Sequence, residues 1–372
     1  MLSGWVLRSL LGSSSLLRWS PRRRVMDLAS VVSRLNVLAP PALAESWDNV
    51  GLLVEPSPPH SVQTLMLTND LTESVLEEAV ARKVQMVLSY HPPIFKSLKR
   101  LTCGQWKERL VVKALENRLA VYSPHTACDA LSNGVNDWLG RALGPCVSVP
   151  LRHSTSLSHP GGFGHVLEFS SNISESILSR VSSLQGVCLR TFPLSNGGEE
   201  GGRVRLSCSQ SALLQALAIL SEDPRAYSGA ELVTLQKPPL VDTGMGRLCT
   251  LTEPVSITTA VERIKRYLGL KHLRLALGRK KMTDSLVRVM AVCAGSGSSI
   301  LSGVPADLYL TGEMSHHEVL DAVAEGRSVI LCEHSNSERG YLQDLCAQIT
   351  QALEGKVEVV LSEVDEDPLR VV

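Results

Sequence analysis

Short apolar runs alternate along most of this chain with longer segments whose apolar positions recur every three or four residues. VQTLMLTND (62–70), VQMVLSY (84–90) and LAVYSP (119–124) are strand-length runs. SVLEEAVARK (74–83), KERLVVKALENRL (107–119) and GVNDWLGRALG (134–144) carry helical spacing between and after them. Near-continuous apolar strands alternating with helices predict a parallel sheet covered on both faces. The texture returns late in the chain, where VRVMAVCAGSGSSIL (287–301), ADLYLTGEMSHHEVLDAVAEG (306–326) and SVILCEHSNSERGYLQDLCAQI (328–349) each read as strand, polar turn and helix. Gly326 stands where a helix-ending glycine belongs.

The middle has another rhythm. GHVLEFSS (164–171), VCLRTFPL (187–194), RVRLSC (203–208) and AELVTLQ (230–236) read as strands. SESILSRVSSL (174–184) and SALLQALAILSE (211–222) read as helices, and NGGEEGG (196–202) as a loop or hairpin tip. The order βαββαβ is that of a ferredoxin-like unit. The expected organisation is therefore α/β: a first lobe over 26–155, an inserted ferredoxin-like α+β domain over 163–238, and a second lobe over 239–372.

Composition narrows the function classes. Of the 372 residues, 37 are basic and 37 acidic, and that balance argues against a broad nucleic-acid-binding face. No apolar run reaches the roughly 20 residues that span a bilayer. Nine cysteines without a CxxC pair read as reduced thiols, not as a disulfide framework or zinc finger. Residues 1–25 are rich in Arg and Ser and contain no acid, the composition of a mitochondrial transit peptide. A form beginning at Met26 is expected to be cytoplasmic and nuclear, and one carrying the leader mitochondrial.

In open parallel sheets ligands bind outside the carboxyl ends of the strands. Five apolar runs here end in groups that bind metals or move protons. TLMLT is followed by Asn69-Asp70, VQMVLS by Tyr90-His91, and LAVYSP by His125 and then Asp129. ADLYL is followed by Glu313 and His316-His317, and SVILC by Glu333-His334 with Glu338 four residues on. Imidazole with carboxylate and no thiolate suits Zn²⁺, Mn²⁺ or Fe²⁺, and several carboxylates allow two ions to be bridged. AGSGSSI (294–300) lacks the Lys-Ser/Thr of a P-loop and reads as a tight strand–helix turn. No Gly-x-Ser-x-Gly is present to support nucleophilic acyl transfer.

The motifs LAESWDNVGLLVE (43–55), SYHPPIF (89–95), HTACDALSNGVND (125–137), TGMGRL (243–248), YLTGEMSHHEVLDAVAEG (309–326) and EHSNSERG (333–340) resemble the Nif-three-like family, whose bacterial members are often labelled GTP cyclohydrolase I type 2 homologues. The whole chain is similar to animal members, and its middle block resembles an insertion similar to PII and CutA proteins. The resemblance implies a two-lobed α/β fold, homo-oligomers up to ring-shaped hexamers, and one or two divalent metals in the cleft between lobes. Carried over by position, the implied metal ligands are His91, Asp129, His334 and Glu338, with Tyr90 and His125 as accessory groups. Tyr90 stands where bacterial members have a His, and Glu333 where they have a Gly. A neutral phenol is a poor ligand, since its ordinary pKa is about 10.

Two functions follow as expectations. One is a metal-binding, homo-oligomeric regulatory scaffold that engages transcriptional regulatory proteins, as the family name suggests, without contacting nucleic acid or membrane. The alternative is a metal-dependent hydrolase of a nucleotide-like substrate, with Asp129, Glu313 and His125 as its catalytic groups.

Overall fold

The computed structural model describes residues 25–193 and 202–372. All but the last residue of the leader (1–25) and of the loop read at 196–202 lies outside the described residues. Among the described residues no helix is long and apolar enough to cross a membrane.

The three early apolar runs become the strands Thr64–Thr68, Met86–Ser89 and Ala120–Ser123, side by side and parallel. Their side chains alternate between two cores, as a pleated strand requires. Leu65, Leu67, Met86, Leu88 and Tyr122 enter one core, and Met66, Val87 and Val121 the other. The second core is closed by the helices Glu73–Ala81 and Trp106–Glu116, through residues including Val75, Leu76, Leu110 and Ala114. Covering both faces is what makes these strands apolar throughout. Two further strands complete the sheet: Gly51–Val54 antiparallel at one edge, and Glu358–Leu361 parallel at the other.

The second sheet has six strands in the order Arg274–Ala276, Ser328–Leu331, Leu308–Glu313, Leu286–Ser296, Pro239–Ser256, Cys146–Thr155. Parallel-type sheets were expected, but this sheet is mixed. Only the pairings among 286–296, 308–313 and 328–331 are parallel; the other three are antiparallel. A parallel neighbour needs a crossover of a dozen or more residues, usually helical. The segments 298–301 and 316–324 supply helices for the two parallel steps. The chain leaves this sheet through Cys146–Thr155 and returns through Pro239–Ser256, so those two strands must run oppositely.

The two blocks thus exchange strands: 146–155 lies in the second sheet and 358–361 in the first. One continuous core joins the sheets, running from Leu65 and Leu88 through Trp138, Ile264 and Leu345 to Val292, Leu310 and Ile330. The helix read over 134–144 is shorter than its pattern, with α-helix at Val135–Gly140 and a 3₁₀ turn at Arg141–Leu143.

The middle segment has its own core, built from Leu167, Phe169, Val204, Leu206, Val181 and Ala216 among others. Strands His165–Ser170, Val187–Pro193, Gly202–Cys208 and Glu231–Thr234 are all antiparallel, in the spatial order fourth, first, third, second. The helices Glu175–Ser182 and Gln210–Leu220 are N-capped by the side chains of Ser174 and Ser209, which satisfy amide groups at Ile177 and Ala212.

Candidate metal-binding cleft

The carboxyl ends of parallel strands from both sheets open onto one cavity of about 570 Å³, lined in part by His91, His125, Asp129, Gly295, His334 and Glu338. His91 lies two residues beyond the strand Met86–Ser89. His125 opens the helix His125–Ala130, on which Asp129 also sits. His334 and Glu338 flank the 3₁₀ turn Ser335–Ser337, which follows the strand Ser328–Leu331. One ligand atom from each of His91, His334 and Glu338 falls within 4.8 Å of the others, so the three could hold a metal ion. His316 and His317 begin the helix His316–Ala324, where they are exposed and line no part of this cavity.

Each cleft histidine has its Nδ1 beside a carboxylate. His91 Nδ1 is 2.9 Å from Asp70 Oδ1, His125 Nδ1 is 2.7 Å from Asp48 Oδ1, and His334 Nδ1 is 2.8 Å from Glu313 Oε1. A carboxylate accepts the Nδ1 proton and so fixes the tautomer that leaves Nε2 as a free lone pair, the arrangement that orients metal-ligating imidazoles. Both relevant Nε2 atoms approach Glu338: His91 at 3.2 Å from Oε2 and His334 at 3.5 Å from Oε1. The buried His91 Nε2 lies beside Glu338 without hydrogen-bond geometry to it or to any other group among the described residues. An orphaned buried ring nitrogen between a carboxylate and a second imidazole fits a divalent cation.

Charge follows the same geometry. Burial works against a cation at His91, but the charges of Glu338 and Asp70 and the Asp70 hydrogen bond outweigh it and lift the imidazole to about 10. Burial would raise the Glu338 carboxyl, yet His91 and His334 hold it below its ordinary value. Glu338 also accepts from Asn69 Nδ2 at 3.2 Å. Gly295, at φ +65°, turns its bare Cα toward the cluster; a Cβ there would stand 2.8 Å from Glu338 Oε1 and 2.9 Å from His334 Nε2.

Asp129 lines the cavity but is not among the three clustered ligand residues. The Tyr90 hydroxyl donates to its Oδ1. Burial pushes the Asp129 carboxyl up to about 6, and burial with the Asp129 charge pushes the Tyr90 phenol well above its usual range. Tyr90 is therefore a neutral donor, and Glu313 acts through His334. His125 faces His91 with ring centroids 5.3 Å apart. Sequence reasoning did not single out Asp48, which is held in the irregular stretch before Gly51–Val54 and also binds the Thr126 amide at 3.1 Å. Asp70 stood among the polar groups after its strand, without an assigned role.

A family profile described as Duf34/NIF3 (NGG1p interacting factor 3) matches residues 26–368. A rat protein named NIF3-like protein 1 is 56% identical over 356 residues, covering 95% of this chain and 95% of its own length. The Saccharomyces cerevisiae protein named NGG1-interacting factor 3 is 31% identical over 339 residues, covering 88% of this chain and 90% of its own. A solved Staphylococcus aureus structure superposes with TM-score 0.70 at 18% identity, covering 93% of this chain and 99% of that one, a likeness of fold. The chain belongs to the Duf34/NIF3 family.

Proposed function

We propose that this chain is a metal-binding, self-associating regulatory protein that acts by engaging other proteins, transcriptional regulators among them. The observation that carries this reading is Tyr90. Buried behind the cleft wall just past its strand, it is a neutral phenol that ties Asp129 by a hydrogen bond, leaving His91, His334 and Glu338 as a one-ion set. Such an ion, Zn²⁺, Mn²⁺ or Fe²⁺ by its mixed nitrogen and oxygen donors, would brace the junction of the two sheets. The yeast relative's printed name, an interacting factor, supports a role through partners. In this reading the middle segment 163–238 is a ferredoxin-like domain inserted between two lobes, and the strand order fourth-first-third-second supports it. The assembly is a homo-oligomer, cytoplasmic and nuclear, with residues 1–25 directing a mitochondrial form.

Elemental analysis with light scattering tests the proposal. About one divalent ion per chain, lost in His334→Ala, together with a mass above one chain, is the expected result. A metal-free monomer would end it.

A second reading, a metal-dependent hydrolase of a nucleotide-like substrate, is favoured by the open cavity. A bound ion would supply Lewis acidity there. Asp129, with its carboxyl near 6, would take a proton close to neutral pH; His125, oriented by Asp48, would hold or deliver one; Glu313 would fix the His334 tautomer. Guanine-nucleotide turnover that disappears in Asp129→Ala would establish this reading over the scaffold.

A further inference from the structure

Residues 90–105, between the strand Met86–Ser89 and the helix Trp106–Glu116, adopt no helix or strand. Irregular connections longer than about 12–15 residues are uncommon inside compact domains and are usually functional. His91 at the start of this loop belongs to the cleft, but the rest has no role there. The stretch 91–107 contains no acid and carries Lys96, Lys99, Arg100 and Lys107 in a chain whose overall charge is zero. The neighbouring helix cations are paired, Arg109 with Glu73 and Lys113 with Glu77. The three loop cations and Lys107, in the helix's first turn and 5.4 Å from the centroid of the Trp106 ring, have no carboxylate partner among the described residues. Glu108, the next acid along the chain, is buried and accepts from the Thr102 amide at 3.1 Å.

Apolar side chains stand among these charges. Phe95, Leu101 and Trp106 are 42%, 50% and 46% exposed. The loop separates two depressions. Phe95 and Lys107 reach the mouth of the metal cavity. On the other side Lys99, Arg100 and Leu101 border a groove of about 520 Å³ backed by Leu98, Val111 and Leu115, with Glu55 the only acid lining it. Unpaired cations interleaved with exposed aromatic and aliphatic groups make up the composition of interface hot spots. A surface of one sign is complementary to the opposite sign. Charges spread across both sides of the loop suit an extended partner better than a small anion.

We propose that residues 94–107 and the groove behind them form a docking surface for an acidic protein segment, which seats an apolar side chain against Leu101 and Leu115 and aligns its carboxylates with Lys96, Lys99 and Arg100. The inference rests on the regulatory reading above and names the chemistry of the partner.

The probe is a labelled synthetic peptide of about 15 residues, rich in Glu with Leu at every fourth position, titrated against the full chain by fluorescence anisotropy. Two control peptides replace Leu by Ser or Glu by Lys. The triple reversal K96E/K99E/R100E is expected to weaken binding about tenfold or more, and Leu101→Ser about fivefold, the scale of a few interface contacts. Binding should also weaken with added salt. All four substituted side chains are on the surface, and an unchanged thermal melt confirms that folding is intact. Equal binding by the triple variant, or by the Ser control peptide, overturns the proposal. So does preferential binding to tripolyphosphate or to phosphatidylserine vesicles, which would assign the cations to phosphate. Metal content and mass are measured on the same samples. Absent peptide binding with metal and assembly intact sinks this surface alone, whereas their absence from the unsubstituted chain sinks the regulatory reading.

Discussion

Replacing Gly295 by Ala should weaken metal binding at the His91–His334–Glu338 cluster while leaving the fold largely standing. The backbone at Gly295 sits at φ +65°, where a side chain costs roughly 1–2 kcal/mol through its Cβ. The added methyl would also meet Glu338 Oε1 at 2.8 Å and His334 Nε2 at 2.9 Å, both inside van der Waals contact. The turn is pinned, since the Gly295 amide donates to Ser337 Oγ at 2.8 Å and its carbonyl accepts from Thr311 Oγ1 at 3.1 Å. Glu338 is buried and held by Asn69, so it has little room to retreat. The more exposed His334 has the room to yield, and its displacement would carry Nε2 away from His91 and Glu338. Displacing an oriented ligand costs about 10–100-fold in metal affinity, or roughly 1.4–2.8 kcal/mol. Gly303→Ala is the control: its φ is +77° with nothing within 4 Å of the new Cβ, so it bears the backbone cost alone. Chelator competition followed by elemental analysis measures the affinities, and urea unfolding the stabilities. Both variants should lose similar stability, and only Gly295→Ala should lose metal. Equal metal affinity in the two would refute the packing of the ligand cluster on this turn.

Asp70→Asn and Glu313→Gln each remove an orienting acceptor from a cleft imidazole, and each should weaken metal binding about 10–100-fold in the chelator assay with little change in thermal melt. Arg247 is buried, pairs with Asp137 at 2.8 Å, and donates to the carbonyls of Gly244, Gly246 and Leu131 at 2.6–2.8 Å. Arg247→Leu should therefore cost about 3–5 kcal/mol in urea unfolding, and a loss below about 1 kcal/mol would show that water replaces those bonds. Glu78 fastens the tail segment to the first sheet's helix: it accepts from Ser362 Oγ at 2.5 Å and from the Glu363 amide, and pairs with Arg82. Burial would raise its carboxyl, but these donors hold it below the ordinary 4.5. A depressed carboxyl gives stability above its unfolded pKa that is lost as pH falls through the folded value, so the wild type should lose stability below about pH 4.5 more steeply than Glu78→Gln.

How much of the cleft was legible in the chain depended on where each residue stood. His91, His334 and Glu338 follow apolar strands, so periodicity marked them as strand-end groups and the family resemblance joined them into one set; that two separate sheets bring their ends together required coordinates. Tyr90 was legible only as a departure from a motif; its bond to Asp129 required coordinates. Asp48 lies in a segment with no period, and its contact with His125 spans 77 positions that no local pattern encodes. The strands and helices of the middle segment, 163–238, were legible because each has its own period or its own serine cap.

The amino-acid sequence by itself determined the elements and the chemistry available at their ends, because side-chain periodicity and turn residues act over a few positions. Tertiary structure alone decided pairing. It set 146–155 antiparallel to 239–256, carried 358–361 across to the first sheet, and placed a carboxylate behind each cleft histidine. Those contacts join residues tens to hundreds of positions apart. They form because one shared core buries both sheets at once, a condition that no single segment of the chain can express.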